Sequence, residues 1–268
     1  MQQAALLREK VGIHLSFSDR HTDFTNAPAS RQIQREAGAL WYNYVSVSTI
    51  AGGTATLENP AHVTLSLDAV SRRFGRRMVF SGVSAQAQTG EALVITGANG
   101  SGKSTLLKII AGLLSPSAGT VKFSVGDAEL DAVQRRQYLG YVSPDLTLYS
   151  ELSGAENLQF FGGLRGLTLT RDDLIAALEK VGLKGRGRDY VGNYSSGMRH
   201  RLKIAFALLG SPPILILDEP TANLDAEGAA IVEAIIAEQK RRGLVLIGTN
   251  EAREVGWGDA VVRLGNAS

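Results

Sequence analysis

No cysteine occurs anywhere in the 268 residues. Disulfides, Cys-based zinc sites, iron–sulfur clusters and thiol catalysis are thereby excluded, and the chain is compatible with a reducing compartment. Excess charge is missing too: 28 Lys and Arg stand against 26 Asp and Glu, a formal net of +2. A nucleic-acid partner, which asks for a concentrated basic face, is not expected. No apolar run approaches the ~18–20 residues that cross a bilayer. The longest, "LLKIIAGLL" (106–114) and "ILIL" (214–217), have the length of buried core segments. The opening "MQQAALLREK" carries only a short apolar patch and makes a poor secretory signal. Any role at a membrane must then borrow a separate membrane component. His14, His21, His62 and His200 are not spaced to share a metal.

What is present suits a globular protein, with 44% apolar and 20% charged residues and length enough for a sizeable core. Residues 1–61 show no sustained periodicity and read as a poorly ordered or appended extension. Either a docking element or an inert leader fits them, and a start codon placed too early would also produce them. From Val63 the texture changes. "VTLSLDAV" (63–70) and "MVFSGVSAQA" (78–87) alternate like paired antiparallel strands, and "EALVITG" (91–97) reads as a buried strand. "GTVKFSV" (119–125) and "YLGYVS" (138–143) read as further strands. The stretch from about 145 to 200 turns helical, with helices expected over 154–164, 170–183 and 198–209. Strand 213–218, helix 226–242 and strands 244–249 and 259–265 follow. Alternating buried strands and helices imply an α/β domain over 62–268, with a mostly parallel sheet and a helical insertion. No internal repeat is visible.

Within it, "GANGSGKST" comprises Gly97, Ala98, Asn99, Gly100, Ser101, Gly102, Lys103, Ser104 and Thr105. It matches G-x-x-x-x-G-K-[ST] between an expected strand and helix, the context this phosphate-binding loop requires. Glycines allow backbone N–H groups to turn toward the phosphates, and the helix N-terminus adds partial positive charge. Lys103 would reach the β/γ-phosphates and the Ser104 hydroxyl would ligate Mg²⁺. "ILILDEP" (214–220) supplies the acidic side. A buried strand delivers Asp218 at its C-terminal end, where α/β sheets bind ligands. Asp218 would hold Mg²⁺ through water, and Glu219 could orient and deprotonate the attacking water. The plainer alternative is an acidic pair that caps the next turn.

"YSSGM" (194–198) ahead of a long helix, followed by "LDEP" and "TANLD" (221–225), sets the class. Over about 63–265 the chain resembles the ATP-binding subunit of ABC transporters. "YSSGM" is similar to that family's signature loop, Leu-Ser-Gly-Gly-Gln: Ser195 and Gly197 match, whereas Tyr194, Ser196 and Met198 depart. The resemblance implies that Phe74 stacks on adenine and that Asp225 is the acid of the dimer loop. It also implies a head-to-tail dimer, in which Ser195, Ser196 and Gly197 of one copy close on the γ-phosphate held by Lys103 of the other. A Ser-Ser-Gly loop at a helix N-terminus is itself an anion site, though an ordinary N-cap would use the same residues. The implied activity is ATP hydrolysis with Mg²⁺, powering a separate membrane permease from its cytoplasmic face.

Two departures bear on rate. The family usually has glutamine after the "LGYV" strand, where Pro144 stands between Ser143 and Asp145. It usually has histidine after the strand that here ends at Thr249, where Asn250 stands. Asn250 can donate a hydrogen bond to a γ-phosphate but cannot take up a proton. Hydrolysis is expected to persist at reduced rate, and a degenerate subunit that only binds ATP is the alternative. Three function classes remain: an exporter-type transport motor such as the haem-exporter ATPases of cytochrome c maturation, a soluble ABC ATPase acting on a cytosolic assembly, and a small-molecule kinase. The signature loop argues against the last.

Overall fold

A computed structural model describes residues 62–265. The expectations for 1–61 lie outside the described residues. In chain order the elements begin with β1 (Val63–Phe74), β2 (Arg77–Gln88), β3 (Ala92–Thr96), α1 (Lys103–Ile110), β4 (Ala118–Val125) and β5 (Ala128–Glu129). Next come α2 (Ala132–Tyr138), β6 (Leu139–Val142), α3 (Gly154–Leu164), α4 (Arg171–Lys180), a 3-10 turn (Val191–Asn193) and α5 (Ser196–Leu208). β7 (Ile214–Asp218), α6 (Ala226–Lys240), β8 (Leu244–Thr249), α7 (Ala252–Val255) and β9 (Ala260–Arg263) complete the order. The described residues form two compact units, one of Thr147–Phe206 and a larger one of 62–146 and 207–265.

The larger unit contains two sheets. One has five parallel strands in the order β6-β7-β8-β3-β9. Every residue of β3, β6, β7 and β8 is buried, as expected when both faces of a parallel sheet are covered. Each Leu, Ile or Val sealed there contributes about 1.5–3 kcal/mol relative to exposure. The other sheet is antiparallel, in the order β2-β1-β4-β5. β1 alternates buried and half-exposed residues over its first five positions and extends past the expected strand to Phe74, through register shifts on either side of Val70. The segment 119–125 therefore joins the antiparallel sheet.

Three short elements escaped the sequence pattern, β5, α2 and α7, as did the 3-10 turn. α2 is polar, so no apolar stripe marks it. Its N-terminus is fixed by a capping box: Asp131 accepts from the Val133 and Gln134 N–H groups, and Gln134 accepts from that of Asp131.

The unit 147–206 packs α3, α4 and the start of α5 around Leu158, Phe161, Val181, Leu183, Val191 and Leu202, all nearly inaccessible. Ser153 with Glu156, and Thr170 with Asp173, form capping boxes at α3 and α4. The Phe161 ring meets Phe206 with centroids 5.1 Å apart, a contact worth about 0.5–1.5 kcal/mol beyond area burial.

Candidate functional site

β7, β8 and β3 are consecutive in the parallel sheet, so their C-terminal ends lie side by side. Thr96 pairs with Thr249, and Asp218 with Gly248. The loop 97–102, the Asp218–Glu219 pair and Asn250 therefore leave three adjacent strand ends, where this sheet architecture presents ligands. Topology unites residues more than a hundred positions apart in sequence.

Gly102 takes φ +101 as the cap of α1, and a side chain there would press Val79 Cγ1 at 2.6 Å and Phe80 Cδ1 at 2.9 Å. Only glycine suits that turn, and β2 thereby lies against the loop. Lys103 is 6% exposed, and its Nζ donates to Gly97 O at 2.9 Å and Ala98 O at 3.2 Å. The ammonium sits inside the loop, held by carbonyls that an anionic chain would displace. Gly97 is half-buried and Ala98, Asn99 and Gly100 are exposed, whereas the Ser101 hydroxyl is buried without a partner. Ser104 and Thr105 occupy the first turn of α1, half-buried.

Asp218 is 1% exposed, and neither carboxylate oxygen has a hydrogen-bond partner. Burial pushes its carboxyl up to about 6, and the charge of Glu219 adds to that rise. The Ser104 hydroxyl and the Lys108 and Lys103 ammoniums oppose it, the hydroxyl lying close but short of a well-formed hydrogen bond. Gly248 lets the carboxylate approach: a Cβ there would stand 3.0 Å from Asp218 Oδ1. An orphaned buried carboxylate beside a hydroxyl at a phosphate loop has the hard-oxygen chemistry of a Mg²⁺ site. Among the described residues no group of three or more His, Cys, Asp or Glu could hold a metal alone.

Glu219 is exposed with φ +56, a left-handed conformation that a non-glycine residue adopts at a cost of about 1–3 kcal/mol. Its N–H donates to Gly248 O at 2.8 Å, which ties the turn to β8. Asn250 Nδ2 donates to Asn99 Oδ1 at 3.1 Å, so the residue at the family's histidine position already touches the phosphate loop.

Phe74 ends β1 opposite Arg77, and its ring is half exposed. The Arg72 guanidinium lies 4.4 Å from the ring centroid, anchored by donation from Nη1 to Ser115 O at 2.8 Å. In the stretch where glutamine was expected, Pro144 is exposed and Ser143 is buried, its Oγ accepting from Asp145 N–H at 3.3 Å. Asp145 Oδ2 pairs with Lys108 Nζ of α1 at 2.6 Å, so this carboxylate is engaged with the helix behind the loop. No sequence signal had linked those two residues.

The signature loop belongs to the smaller unit. Ser195 is exposed and its Oγ accepts from Met198 N–H at 3.1 Å, so it caps α5. The cap uses the oxygen as acceptor and leaves the hydroxyl proton for donation. Ser196 is exposed and Gly197 half-buried in the first turn of α5, where backbone donors have no intrahelical partner. Tyr194, in place of the family's leucine, is core: its hydroxyl donates to Arg186 O at 2.7 Å, and burial pushes its phenol up to about 12.

The family profile described as "ABC transporter" matches residues 80–222. A cytochrome c biogenesis ATP-binding export protein, CcmA of Rhodopseudomonas palustris, is 37% identical over 194 residues, 72% of this chain and 94% of the relative. CcmA of Rhizobium etli is 40% identical over 197 residues, 70% of this chain and 88% of the relative. The linearmycin resistance ATP-binding protein LnrL of Bacillus subtilis is 31% identical over 192 residues, 71% of this chain but 62% of the relative's length. Among solved structures, an ATP-binding subunit of an ABC transporter matches with TM-score 0.66 and 28% identity, covering 75% of this chain and 86% of that one. A dimeric ATP-binding cassette bound to ADP and phosphate shares the fold at TM-score 0.65 and 23% identity, over 75% and 94% of the two chains.

Proposed function

The chain belongs to the ABC transporter family, and on that footing we propose that it is the ATP-hydrolysing subunit of an exporter, working on a separate membrane permease. The observation that carries this reading is the meeting of phosphate loop, orphaned Asp218 and exposed Glu219 at neighbouring strand ends. Relatives named for cytochrome c biogenesis export and for antibiotic resistance support outward transport. None of the described helices is long and apolar enough to cross a membrane. In this reading the permease is a separate protein, and the subunit sits peripherally on the cytoplasmic face.

In this mechanism Phe74 stacks on the adenine and the loop N–H groups from Gly97 to Thr105 surround the phosphates. Lys103 gives up its carbonyl partners for the β/γ-phosphate oxygens. Asp218 and the Ser104 hydroxyl are the residues that would hold Mg²⁺, which when bound neutralises developing phosphate charge. Glu219 takes the proton of the attacking water. Asn250 turns its amide from Asn99 to the γ-phosphate. Ser195, Ser196 and Gly197 of a second copy, or of a related subunit, close the site. ATP thus joins two copies and its hydrolysis separates them.

The test is affinity purification of the full chain from detergent-solubilised membranes. A polytopic protein with several apolar helices is expected to copurify. Recovery of a soluble scaffold alone would overturn the transport reading. A second expectation concerns Asn250, which has no titration near neutrality. Between pH 6 and 8 wild-type ATPase should carry no limb owed to residue 250, whereas Asn250→His should run faster and gain one near the ordinary histidine value of about 6.5. Steady-state rates across that range check it, and an inactive wild-type dimer would refute it.

A further inference from the structure

Glu254 is a buried acid that the proposed reaction does not use. It stands on α7, just past Asn250, and is 2% exposed. Its Oε1 accepts from the Thr221 N–H at 3.2 Å and also from the Thr221 hydroxyl. Its Oε2 is buried without a hydrogen-bond partner. A carboxylate taken out of water at such a place is costly unless its bonds accomplish something.

Thr221 lies in the turn from 219 to 225 that joins β7 to α6. That turn is strained at two points, Glu219 with φ +56 and Asn223 with φ +62. Left-handed non-glycine residues cost about 1–3 kcal/mol each and persist only where their surroundings hold them. The ends of this turn are held. Glu219 N–H donates to Gly248 O at 2.8 Å, and Asp225 Oδ1 caps α6 by accepting from Gly228 N–H at 2.8 Å. Between them the turn bonds to itself, through Ala222 N–H to Glu219 O at 3.1 Å and Leu224 N–H to Thr221 O at 3.0 Å. The Thr221 bonds to Glu254 fasten the middle of the turn to the helix that follows Asn250.

We propose that Glu254 is a positioning residue for hydrolysis: it clamps the 219–225 turn to α7, so that the Glu219 carboxylate and the Asn250 amide keep one fixed relation to each other. It does not touch nucleotide, and the inference rests on Glu219 acting as the base. Losing the clamp lets the strained turn relax, which moves Glu219 off the line of attack while leaving the phosphate loop intact. Misplacement by about 1 Å at a reacting centre can cost up to 10²-fold in rate.

The experiment measures kcat per nucleotide-binding site, alongside the ATP dissociation constant, in the purified full chain. Glu254→Ala is expected to lower kcat about tenfold, and Thr221→Val, which keeps the backbone N–H bond, by a smaller factor of about threefold or more, each with ATP affinity within about twofold. Glu254→Gln keeps an acceptor oxygen for Thr221 and should hold kcat within about threefold of wild type. The double variant should be no slower than Glu254→Ala alone, because both changes cut one link. Unchanged kcat in both single variants overturns the inference, as does a matched loss of ATP affinity or a Glu254→Gln variant as slow as Glu254→Ala. If Glu254→Ala does not fold, Thr221→Val decides alone by the same two readings. Failure of the base assignment would show separately, as undiminished turnover in Glu219→Gln.

Discussion

Glu219→Gln in the full chain is expected to lower ATP turnover by about 10²–10⁴-fold, the usual contribution of a positioned general base. Nucleotide binding should survive. The change keeps the size of an exposed side chain, and the backbone bond from Glu219 N–H to Gly248 O does not involve it. It removes one negative charge at the mouth of a site that must accept a triphosphate, so ATP affinity should hold or rise. In the proposed cycle hydrolysis releases the two copies from each other, so the variant should accumulate as a dimer with ATP and Mg²⁺ and fall apart on exchange into ADP. Phosphate release measures the first effect and sedimentation the second. Persistent monomer with ATP and Mg²⁺, including beside the permease, would undo the motor interpretation. Turnover near wild type would undo only the role of Glu219.

Much of this site was legible because its chemistry is local in sequence. The loop 97–105 carries its glycines, lysine and hydroxyls within nine consecutive positions, and the run Ile214–Leu217 announces a buried strand that must end in Asp218. The parallel sheet followed from strand composition, since β-branched and aliphatic residues without alternation suit a strand covered on both faces. Long-range partners were not legible. Nothing in "SPD" near 143–145 says that Asp145 will pair with Lys108, and nothing in "EAREV" says that its second glutamate will be buried on Thr221. Such pairs are fixed by which strand ends become neighbours. The Ser195 cap shows a different limit: a serine before a helix reads alike as a cap and as an anion donor, and its oxygen does the first while its proton remains for the second. Likewise Tyr194, a departure when read along the sequence, is in the fold a buried residue whose hydroxyl ties to Arg186 O.

Asp218→Asn should move stability and activity in opposite directions. Without nucleotide the carboxylate is buried and unpartnered, and its pKa of about 6 against an ordinary 3.8 measures how poorly the charge is accommodated. At pH 7 and above that difference corresponds to on the order of 3 kcal/mol against the folded state. A neutral amide escapes this term but leaves its own buried polar atoms wanting, at about 1–3 kcal/mol. The net for the nucleotide-free protein is a gain on the order of 1 kcal/mol, and about 2–4 °C in Tm for a chain of this size. The sign with pH is fixed. The folded pKa is raised, so the contribution of Asp218 is most favourable below about pH 4 and is lost as pH rises through about 6. The stabilising effect of Asn should therefore be larger at pH 8 than at pH 5. With Asp218 holding Mg²⁺ as proposed, hydrolysis should fall by about 10²-fold or more, because the ion would lose a carboxylate ligand and the phosphate charge would lose that ion. Calorimetric melting in EDTA at both pH values, set beside phosphate release in Mg²⁺, checks the pair of effects. A variant less stable than wild type at pH 8 would show that Asp218 holds the fold together rather than waiting for a cation.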